Sequence, residues 1–285
     1  MKRALITGIS GQDGSYLAEL LIGKGYEVWG LLRRHSVPEN QTSRLEAIGL
    51  LSNPYLNLVY GDITDLPSLL NIMGKVLPQE VYNLAAQSHV RISFDQPAFT
   101  TNADAVGVLN ILEAVRTICP AAKIYQAGSS EMFGNEVDDD GYRRESTSMR
   151  PVSPYGCAKL YAFNLCSVYR SSYGMFIANG ILFNHESPRR GLNFVTNKIV
   201  AGAVAISKGE ASELALGNLE ATRDWGHAKD YVRAYRDYVT QDRKYFRPTE
   251  LHDLKGDSSK LRKTLHWEPE YSFRGMVEEM VAARL

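Results

Sequence analysis

Apolar residues along this chain follow two alternating patterns. Short unbroken apolar runs that end in glycine or polar residues predict buried strands, and longer stretches with apolar residues every three or four positions predict helices. The predicted strands are Arg3–Thr7, Tyr26–Leu32, Leu56–Gly61, Glu80–Leu84, Ala122–Gly128 and Phe176–Leu182, and the predicted helices are Ser15–Lys24, Leu66–Val76, Ala98–Ile118 and one that includes Tyr155.

This regular alternation predicts an α/β fold, a Rossmann-like doubly wound parallel sheet with a smaller, mixed C-terminal domain. We expect residues 1–180 to form the nucleotide-binding domain, with a return segment near 217–240. Residues 181–285 are expected to form mainly the substrate-binding domain.

Composition excludes several classes of protein. Of the 285 residues 44% are hydrophobic, and 32 Lys and Arg balance 32 Asp and Glu, so no basic excess indicates a nucleic-acid partner. The three cysteines form no CxxC pair, which fits a reducing cytoplasm, and no apolar run approaches the ~18 residues of a membrane span. His185 and His227 lack metal-ligand spacing, so no metal site is expected.

A glycine-rich turn separates the first strand from the first helix. Its glycines, Gly8, Gly11 and Gly14, are spaced GxxGxxG, and Gln12 and Asp13 stand between the last two. Bare backbone at such a turn lets a pyrophosphate approach a helix N-terminus, so the pattern predicts dinucleotide binding.

The second strand lacks the acidic residue that would hold the ribose of NAD. Arg33 and Arg34 stand at its end instead, and two guanidinium groups suit a 2′-phosphate, so the predicted cofactor is NADP. Further cofactor contacts are expected where later strands end, at Asp62, Ile63, Leu84, Ala86, Gln87 and Ser88.

Four residues form the predicted catalytic group. Tyr155 and Lys159 lie one helical turn apart, and Ser129 and Glu131 follow the fifth strand. A free phenol has a pKa of about 10, and Lys159 with a bound nicotinium ring is expected to lower it by about two to three. Tyr155 is therefore the predicted base.

Three polar loops carry arginines on the expected ligand side of the sheet. They span residues 183–191, 223–230 and 245–250. In a chain without net charge they predict a polyanionic small ligand such as a diphosphate.

Four stretches carry a family resemblance: Thr7–Leu17, Tyr82–His89, Gly180–Gly191 and Arg223–Tyr231. On these residues the chain resembles the extended short-chain dehydrogenase/reductases, and within them it is similar to the GDP-mannose 4,6-dehydratases. The resemblance implies a redox-neutral dehydration of a GDP-sugar. Tyr155 would remove the O4 proton while hydride passes from C4 to NADP⁺, Glu131 would take the C5 proton, and water would leave C6 with acid help from Glu131 or Ser129 before the hydride returns to C6.

The resemblance also implies contacts for individual residues. Lys159, His185 and Arg190 would bind the cofactor, and Arg33 to Ser36 would lie near a subunit contact, which implies a homodimer or homotetramer. The residues implied to bind the GDP-sugar are Ser88, Asn184, Lys198, Arg223, Arg247 and Glu250.

Several positions depart from the family pattern. Ser129 replaces a threonine, Asn197 an arginine, Phe99 a tyrosine and Thr222 a lysine, and some tens of residues that form a strand and a helix in the family are missing between Val239 and Tyr245. Three alternatives stay open: a GDP-manno-heptose 4,6-dehydratase, a 4-keto reductase or epimerase, and an inactive NADP-binding module. Glu131 favours a dehydratase, because the reductases and epimerases generally lack a glutamate there.

Overall fold

The first part of the chain forms a six-stranded sheet in which all neighbouring strands are parallel. The computed structural model describes residues 1–34, 41–216, 222–240 and 256–285. In chain order the strands are β1 Arg3–Thr7, β2 Glu27–Leu32, β3 Leu56–Tyr60, β4 Glu80–Asn83, β5 Lys123–Ala127 and β6 Ile177–Gly180. They lie across the sheet in the order β3-β2-β1-β4-β5-β6, so the direction of winding reverses between β1 and β4. The predicted doubly wound parallel sheet is confirmed.

One face of this sheet is covered by α1 Gln12–Gly23, α2 Ser43–Glu46 and α9 Ala228–Thr240, and the other by α3 Leu66–Val76, α6 Gly107–Ile118 and α7 Pro154–Tyr173. The short helices α4 Val90–Asp95 and α5 Pro97–Thr101 pack against α7. The bounds of β1 and α3 are those that the sequence predicts. No helix in the described ranges is both long enough and apolar enough to cross a membrane.

Two predicted helices differ from the structure. Helix α1 begins at Gln12 rather than Ser15, because Gly11 has the extended conformation of a helix cap and the glycine turn leads directly into the helix. The long helix predicted over Ala98–Ile118 is divided into α5 and α6 by a turn of π-helix at Asn102–Val106.

Side chains of each central strand alternate between two apolar cores. In β1, Ala4 and Ile6 join the core that includes α1 and α9, whereas Leu5 joins the opposite core with α3, α6 and α7. Strands buried on both faces favour apolar residues on both sides, which accounts for the apolar runs seen in the sequence.

The later part of the chain adds a small second layer. Strands β7 Asn184–Glu186 and β8 Trp225–His227 form a parallel pair. This part of the described chain also contains the helices α8 Val195–Ser207, α10 Ser259–Leu265 and α11 Phe273–Ala282. Helices α8 and α11 share a core of Val200, Met276 and Met280. Helix α9 returns to the first layer, where Val232 and Tyr235 pack with Tyr16.

Candidate active site

A cleft of about 1130 Å³ opens at the carboxyl ends of the strands. This is the edge of a doubly wound sheet at which ligands bind. Most of the residues that the sequence singles out line it together: Gly8, Gly11, Gln12, Asp13, Gly14, Arg33, Asp62, Ile63, Leu84, Ala86, Gln87, Ser88, Ser129, Glu131, Tyr155, Lys159, Asn184, His185 and Arg190.

Three other predicted residues, all within the described ranges, are not in this lining. Arg34 holds its guanidinium 5.3 Å from the Tyr60 ring centroid, and Lys198 is an exposed residue of α8. Arg223 donates a hydrogen bond to the Thr222 carbonyl. The predicted substrate ligands Arg247 and Glu250 lie outside the described residues.

The glycine turn leaves its backbone open to the cleft. Gly8 has a φ of +69°, and a Cβ on it would lie 2.9 Å from the Ala85 nitrogen. A Cβ on Gly14 would lie 2.3 Å from the Gly8 carbonyl oxygen, so helix α1 can pack onto the turn only without a side chain there. The turn therefore has the backbone access that a pyrophosphate requires.

Asp13 and His185, both predicted to contact the cofactor, bind each other. The Asp13 carboxylate accepts hydrogen bonds from His185 Nε2 at 2.7 Å and from the Tyr235 hydroxyl at 2.6 Å. Burial would raise the pKa of Asp13, but His185 and the hydrogen bonds outweigh it and lower this pKa to about 2. Burial likewise opposes the charged form of His185, yet Asp13 raises its pKa above the ordinary value. The pair joins α1 to β7 beside the glycine turn, and the Tyr235 hydroxyl joins α9 to the same carboxylate.

A row of buried polar side chains crosses the central strands from the glycine turn to Lys159. The Thr7 hydroxyl donates to Asn83 Oδ1 at 2.6 Å, Asn83 Nδ2 donates to Gln126 Oε1 at 2.7 Å, and Gln126 Nε2 donates to the Ala127 carbonyl at 3.0 Å. Lys159 Nζ donates to the same carbonyl at 3.1 Å. We call Thr7, Asn83 and Gln126 the polar row. It fixes the position of Lys159 relative to the cofactor end of the cleft.

Glu131 lies in a short 3₁₀ turn, Ser130–Phe133, that begins where β5 ends. The Ser129 hydroxyl accepts a hydrogen bond from the Glu131 nitrogen at 3.2 Å. Ser153 Oγ donates to the Glu131 carboxylate at 3.5 Å and accepts from the Gly156 nitrogen at 3.0 Å, so it also caps helix α7. Burial raises the pKa of Glu131, and the opposing effects of Arg223 and Ser153 do not cancel that rise. A carboxyl group whose pKa is raised in this way is better suited than an exposed glutamate both to take up and to release a proton.

Tyr155 and Lys159 lie in the first turns of α7, as the sequence predicts, and both are buried. The ammonium of Lys159 is 5.6 Å from the centroid of the Tyr155 ring. Burial and then the Asp104 carboxylate raise the pKa of Tyr155, and the opposing effects of Ser129 and Arg190 are smaller. The protein by itself therefore moves the pKa of this phenol in the opposite direction from the one expected for the complex with a nicotinium ring.

Arg190 reaches the cleft from the loop after β7, and two neighbouring side chains hold its guanidinium in place. Its Nε lies 3.1 Å from the Glu186 carboxylate, and its guanidinium stacks 3.5 Å from the Phe194 ring centroid. Asn197, which replaces the arginine usual in the family, is buried and donates to the Arg190 carbonyl. It holds the Arg190 backbone instead of facing the cleft.

Sequence reasoning missed several residues of the site, among them Arg44, Asp104, and Ser153 as a partner of Glu131. Arg44 lines the cleft and donates to the carbonyls of Ser10, at 3.1 Å, and Arg189, at 2.7 Å. Nothing in the local pattern distinguishes it. The sequence does indicate Asp104, because it lies at helical spacing from the apolar residues Val108, Ile111 and Val115, where a carboxylate is unusual.

Comparison with known proteins identifies relatives of this chain. The sequence model of the family described as GDP-mannose 4,6 dehydratase matches residues 5–242 and 234–280. The chain is 42% identical to the GDP-mannose 4,6 dehydratase of Cricetulus griseus, over 99% of this chain and 91% of that protein. It is 40% identical to the GDP-mannose 4,6-dehydratase of Yersinia enterocolitica, over 100% of this chain and 94% of that protein. The alignment to the first extends over 344 residues, more than the 285 of this chain, so the relative carries residues that are missing here.

Solved structures support the same fold. DesIV, a dTDP-glucose 4,6-dehydratase from Streptomyces venezuelae with NAD and TYD bound, matches with a TM-score of 0.84 and 20% identity over 99% of this chain and 96% of that one. RMD from Pseudomonas aeruginosa, complexed with NADPH, matches with a TM-score of 0.79 and 20% identity over 99% of both chains.

Proposed function

The chain belongs to the GDP-mannose 4,6-dehydratase family, and from that premise we propose that its cleft converts GDP-mannose to GDP-4-keto-6-deoxymannose with NADP as the cofactor. The observation that carries the proposal is the meeting of Tyr155 and Glu131, which come from separate elements and line one cleft. A dehydratase needs two such groups, because the proton at O4 and the proton at C5 leave different atoms of the sugar.

The chain's own residues divide the proton transfers between them. Tyr155 takes the proton from O4 of the sugar, and the adjacent Lys159 ammonium stabilises the phenolate that results. Glu131 takes the C5 proton, which a ketone at C4 makes acidic, and then protonates the hydroxyl that leaves C6. Ser129 holds the turn that carries Glu131 through its bond to the Glu131 nitrogen. When bound, the cofactor would accept the hydride of C4 and return it to C6. The proton that Tyr155 took from O4 would then replace the one lost from C5, so both side chains return to their starting states.

The cleft fits a nicotinamide dinucleotide at its glycine end. The open backbone at Gly8, Gly11 and Gly14 suits the pyrophosphate, and Asp62 and Ile63 line the cleft where the adenosine would lie. NADP is proposed over NAD because a cation, Arg33, lines the cleft just beyond β2, where NAD enzymes carry an acidic residue.

The sugar nucleotide is proposed to lie between residues 1–180 and the substrate-binding residues of 181–285. Asn184 and Arg190 line the cleft on that side, with Ser88 opposite. Arg223 is close enough to Glu131 for its charge to lower the pKa of that carboxyl, which supports a place for it near the diphosphate or the sugar. Lys198, Arg247 and Glu250 remain predicted ligands.

We further infer a homodimer or homotetramer. Helix α7 exposes three large apolar side chains, Tyr161, Val168 and Tyr173, and the neighbouring α4 exposes Phe94. An apolar surface of this kind on paired helices is typical of a subunit contact. Light scattering of the purified protein tests the subunit number, and a monomer at micromolar concentration contradicts the inference.

The test of the proposed function is incubation with GDP-mannose and, separately, with GDP-manno-heptose, followed by mass spectrometry for the loss of water. We expect dehydration of GDP-mannose by the unaltered protein. The Glu131→Gln variant should oxidise C4 but release no water, so the absorbance of the reduced cofactor should accumulate with the sugar.

Glu136→Gln is the matched control, because Glu136 stands five residues further along the same loop and pairs with the exposed Arg150. This variant should dehydrate at the normal rate. Full dehydration by Glu131→Gln would contradict the assignment of the C5 proton to Glu131. Dehydration of GDP-manno-heptose but not of GDP-mannose would identify the heptose nucleotide as the substrate instead.

A further inference from the structure

Asp104 is a buried carboxylate that the proposed reaction does not use. It is 1% exposed and lies in the π-helical turn Asn102–Val106 between α5 and α6. The next residues on its face of the helix, Val108, Ile111 and Val115, belong to the apolar core. Turns of π-helix within α-helices occur frequently at functional sites.

The two oxygens of Asp104 have different surroundings. Oδ1 accepts a hydrogen bond from the Gln87 nitrogen at 2.7 Å, in the loop that follows β4 and lines the cleft. Oδ2 is buried and has no hydrogen-bonding partner among the residues that the structure describes. A buried carboxylate with one unpaired oxygen is costly, so its presence calls for a compensating charge.

Lys159 is a buried cation that can compensate the negative charge of Asp104. It is 3% exposed, and the hydrogen bond that the structure gives its ammonium goes to the neutral carbonyl of Ala127. Burial raises the pKa of Asp104 to about 6, against the opposing effect of Lys159, so the carboxylate is charged above that pH. Its negative charge then raises the pKa of Lys159, which burial lowers. Asp104 therefore lies within electrostatic reach of Lys159, and the helix that carries Lys159 packs directly against the π-helical turn.

Other charged groups around α7 act elsewhere. Glu131 and Arg190 face Tyr155, and Arg223 faces Glu131. On α4, Arg91 pairs with Asp95 at the surface. On α6, Arg116 pairs with the half-buried Glu113, whose carboxylate also accepts a hydrogen bond from the Tyr169 hydroxyl of α7.

We propose that Asp104 is a positioning residue of the catalytic site: its carboxylate supplies the counter-charge that keeps Lys159 as an ammonium beside Tyr155, and the same group fixes the cleft loop at Gln87. The role in turnover rests on the proposed dehydratase function. The charge pair itself does not, since both partners are buried groups of the protein.

The Asp104→Asn variant tests whether the negative charge of Asp104, rather than its hydrogen bond to Gln87, supports Lys159. The amide keeps an oxygen for the Gln87 nitrogen and replaces the negatively charged, partnerless Oδ2 by a neutral NH2 group. Without the negative charge, Lys159 should lose its proton at a lower pH, so the alkaline limb of the kcat profile with GDP-mannose should move down by about one pH unit, at the low end of the effect of a close opposite charge. The matched control is Asp95→Asn, an exposed acid on α4, and its profile should not move.

A measurement of thermal unfolding tests the pair independently of activity. The melting temperatures of Asp104→Asn, Lys159→Met and the double variant form a double-mutant cycle. We expect strong non-additivity, because the second substitution removes a charge that the first has left unpaired. An alkaline limb that stays in place contradicts the role in turnover, and additive melting temperatures contradict the pair, whether or not the protein dehydrates GDP-mannose.

Discussion

The backbone of Gly156 lies directly against the carbonyl oxygen of Glu131. A Cβ on Gly156 would stand 2.5 Å from that oxygen, well inside van der Waals contact. Because Gly156 follows Tyr155 in the chain, the absence of a side chain there sets the separation of the two proposed acid–base groups.

Gly156→Ala is therefore expected to push the Glu131 turn away from α7. Overpacking against a backbone atom costs about 1–3 kcal/mol of unfolding free energy, and we expect dehydration to fall by at least about tenfold. Gly74→Ala in α3 is the control, because a Cβ there meets nothing within 4 Å and should stabilise the helix. Urea unfolding and product formation check both variants, and normal turnover by Gly156→Ala would show that the close contact is not needed.

Loss of the hydrogen bond from Ser153 to Glu131 is predicted to shift the acid limb of the pH profile of kcat. Burial holds the pKa of Glu131 above its ordinary value of 4.5, so the proposed base should be lost on acidification at a higher pH than an exposed glutamate would be. Ser153 lowers this pKa, so Ser153→Ala should move the acid limb of the kcat profile to still higher pH.

A matched control separates this effect from the loss of a helix cap. Ser272→Ala removes the equivalent cap of α11, where Ser272 Oγ accepts from the Gly275 nitrogen at 3.1 Å. Each variant should lose about 1 kcal/mol of unfolding free energy. Only Ser153→Ala should alter the pH profile, and an acid limb that is the same in both would contradict the contact with Glu131.

The Asp13–His185 pair predicts how stability changes with pH. Because the pKa of Asp13 falls from 3.8 to about 2 on folding, its contribution is complete above pH 3.8 and is lost as the pH falls toward 2. The pKa of His185 is raised from 6.5, so its contribution is complete below pH 6.5 and is lost as the pH rises through the folded-state pKa. The pair should stabilise the protein most between these limits.

Asp13→Asn should therefore cost about 2 kcal/mol of unfolding free energy at pH 5–6, since each pKa unit corresponds to about 1.4 kcal/mol. Urea unfolding at a series of pH values measures this cost. Asp139→Asn, at an exposed turn, should unfold like the unaltered protein. An Asp13→Asn curve that runs parallel to that of the unaltered protein at every pH would show that the pair does not titrate as described.

The two arginines at the end of β2 predict a difference in cofactor affinity. Arg33 lines the cleft, whereas Arg34 stacks on Tyr60. Arg33→Ala should weaken NADP⁺ binding by about 10-fold or more, the cost of a lost charged hydrogen bond, and leave NAD⁺ binding nearly unchanged. Arg34→Ala should have the smaller effect. Calorimetric titration with both cofactors checks these values, and equal losses for NADP⁺ and NAD⁺ would contradict the proposed 2′-phosphate contact.

The sequence predicts best those features that depend on neighbours along the chain. The strand Arg3–Thr7, the helix Leu66–Val76 and the turn that separates Tyr155 from Lys159 all follow from local periodicity and capping. The partners of Asp13 do not, because His185 is 172 residues and Tyr235 is 222 residues away in the chain. The same holds for Asp104, whose role depends on a loop and a helix from other parts of the fold.

The polar row of Thr7, Asn83 and Gln126 also bears on how the protein reaches its native state. These side chains satisfy one another only when β1, β4 and β5 align in the observed register. A slip by one residue would leave amide and hydroxyl groups buried without partners, at a penalty of about 1–3 kcal/mol for each group. The observed strand register, which sets the distance from the glycine turn to Lys159, is thus favoured over registers shifted by one residue. Once the central sheet has formed, the backbone that carries the catalytic residues is already in place.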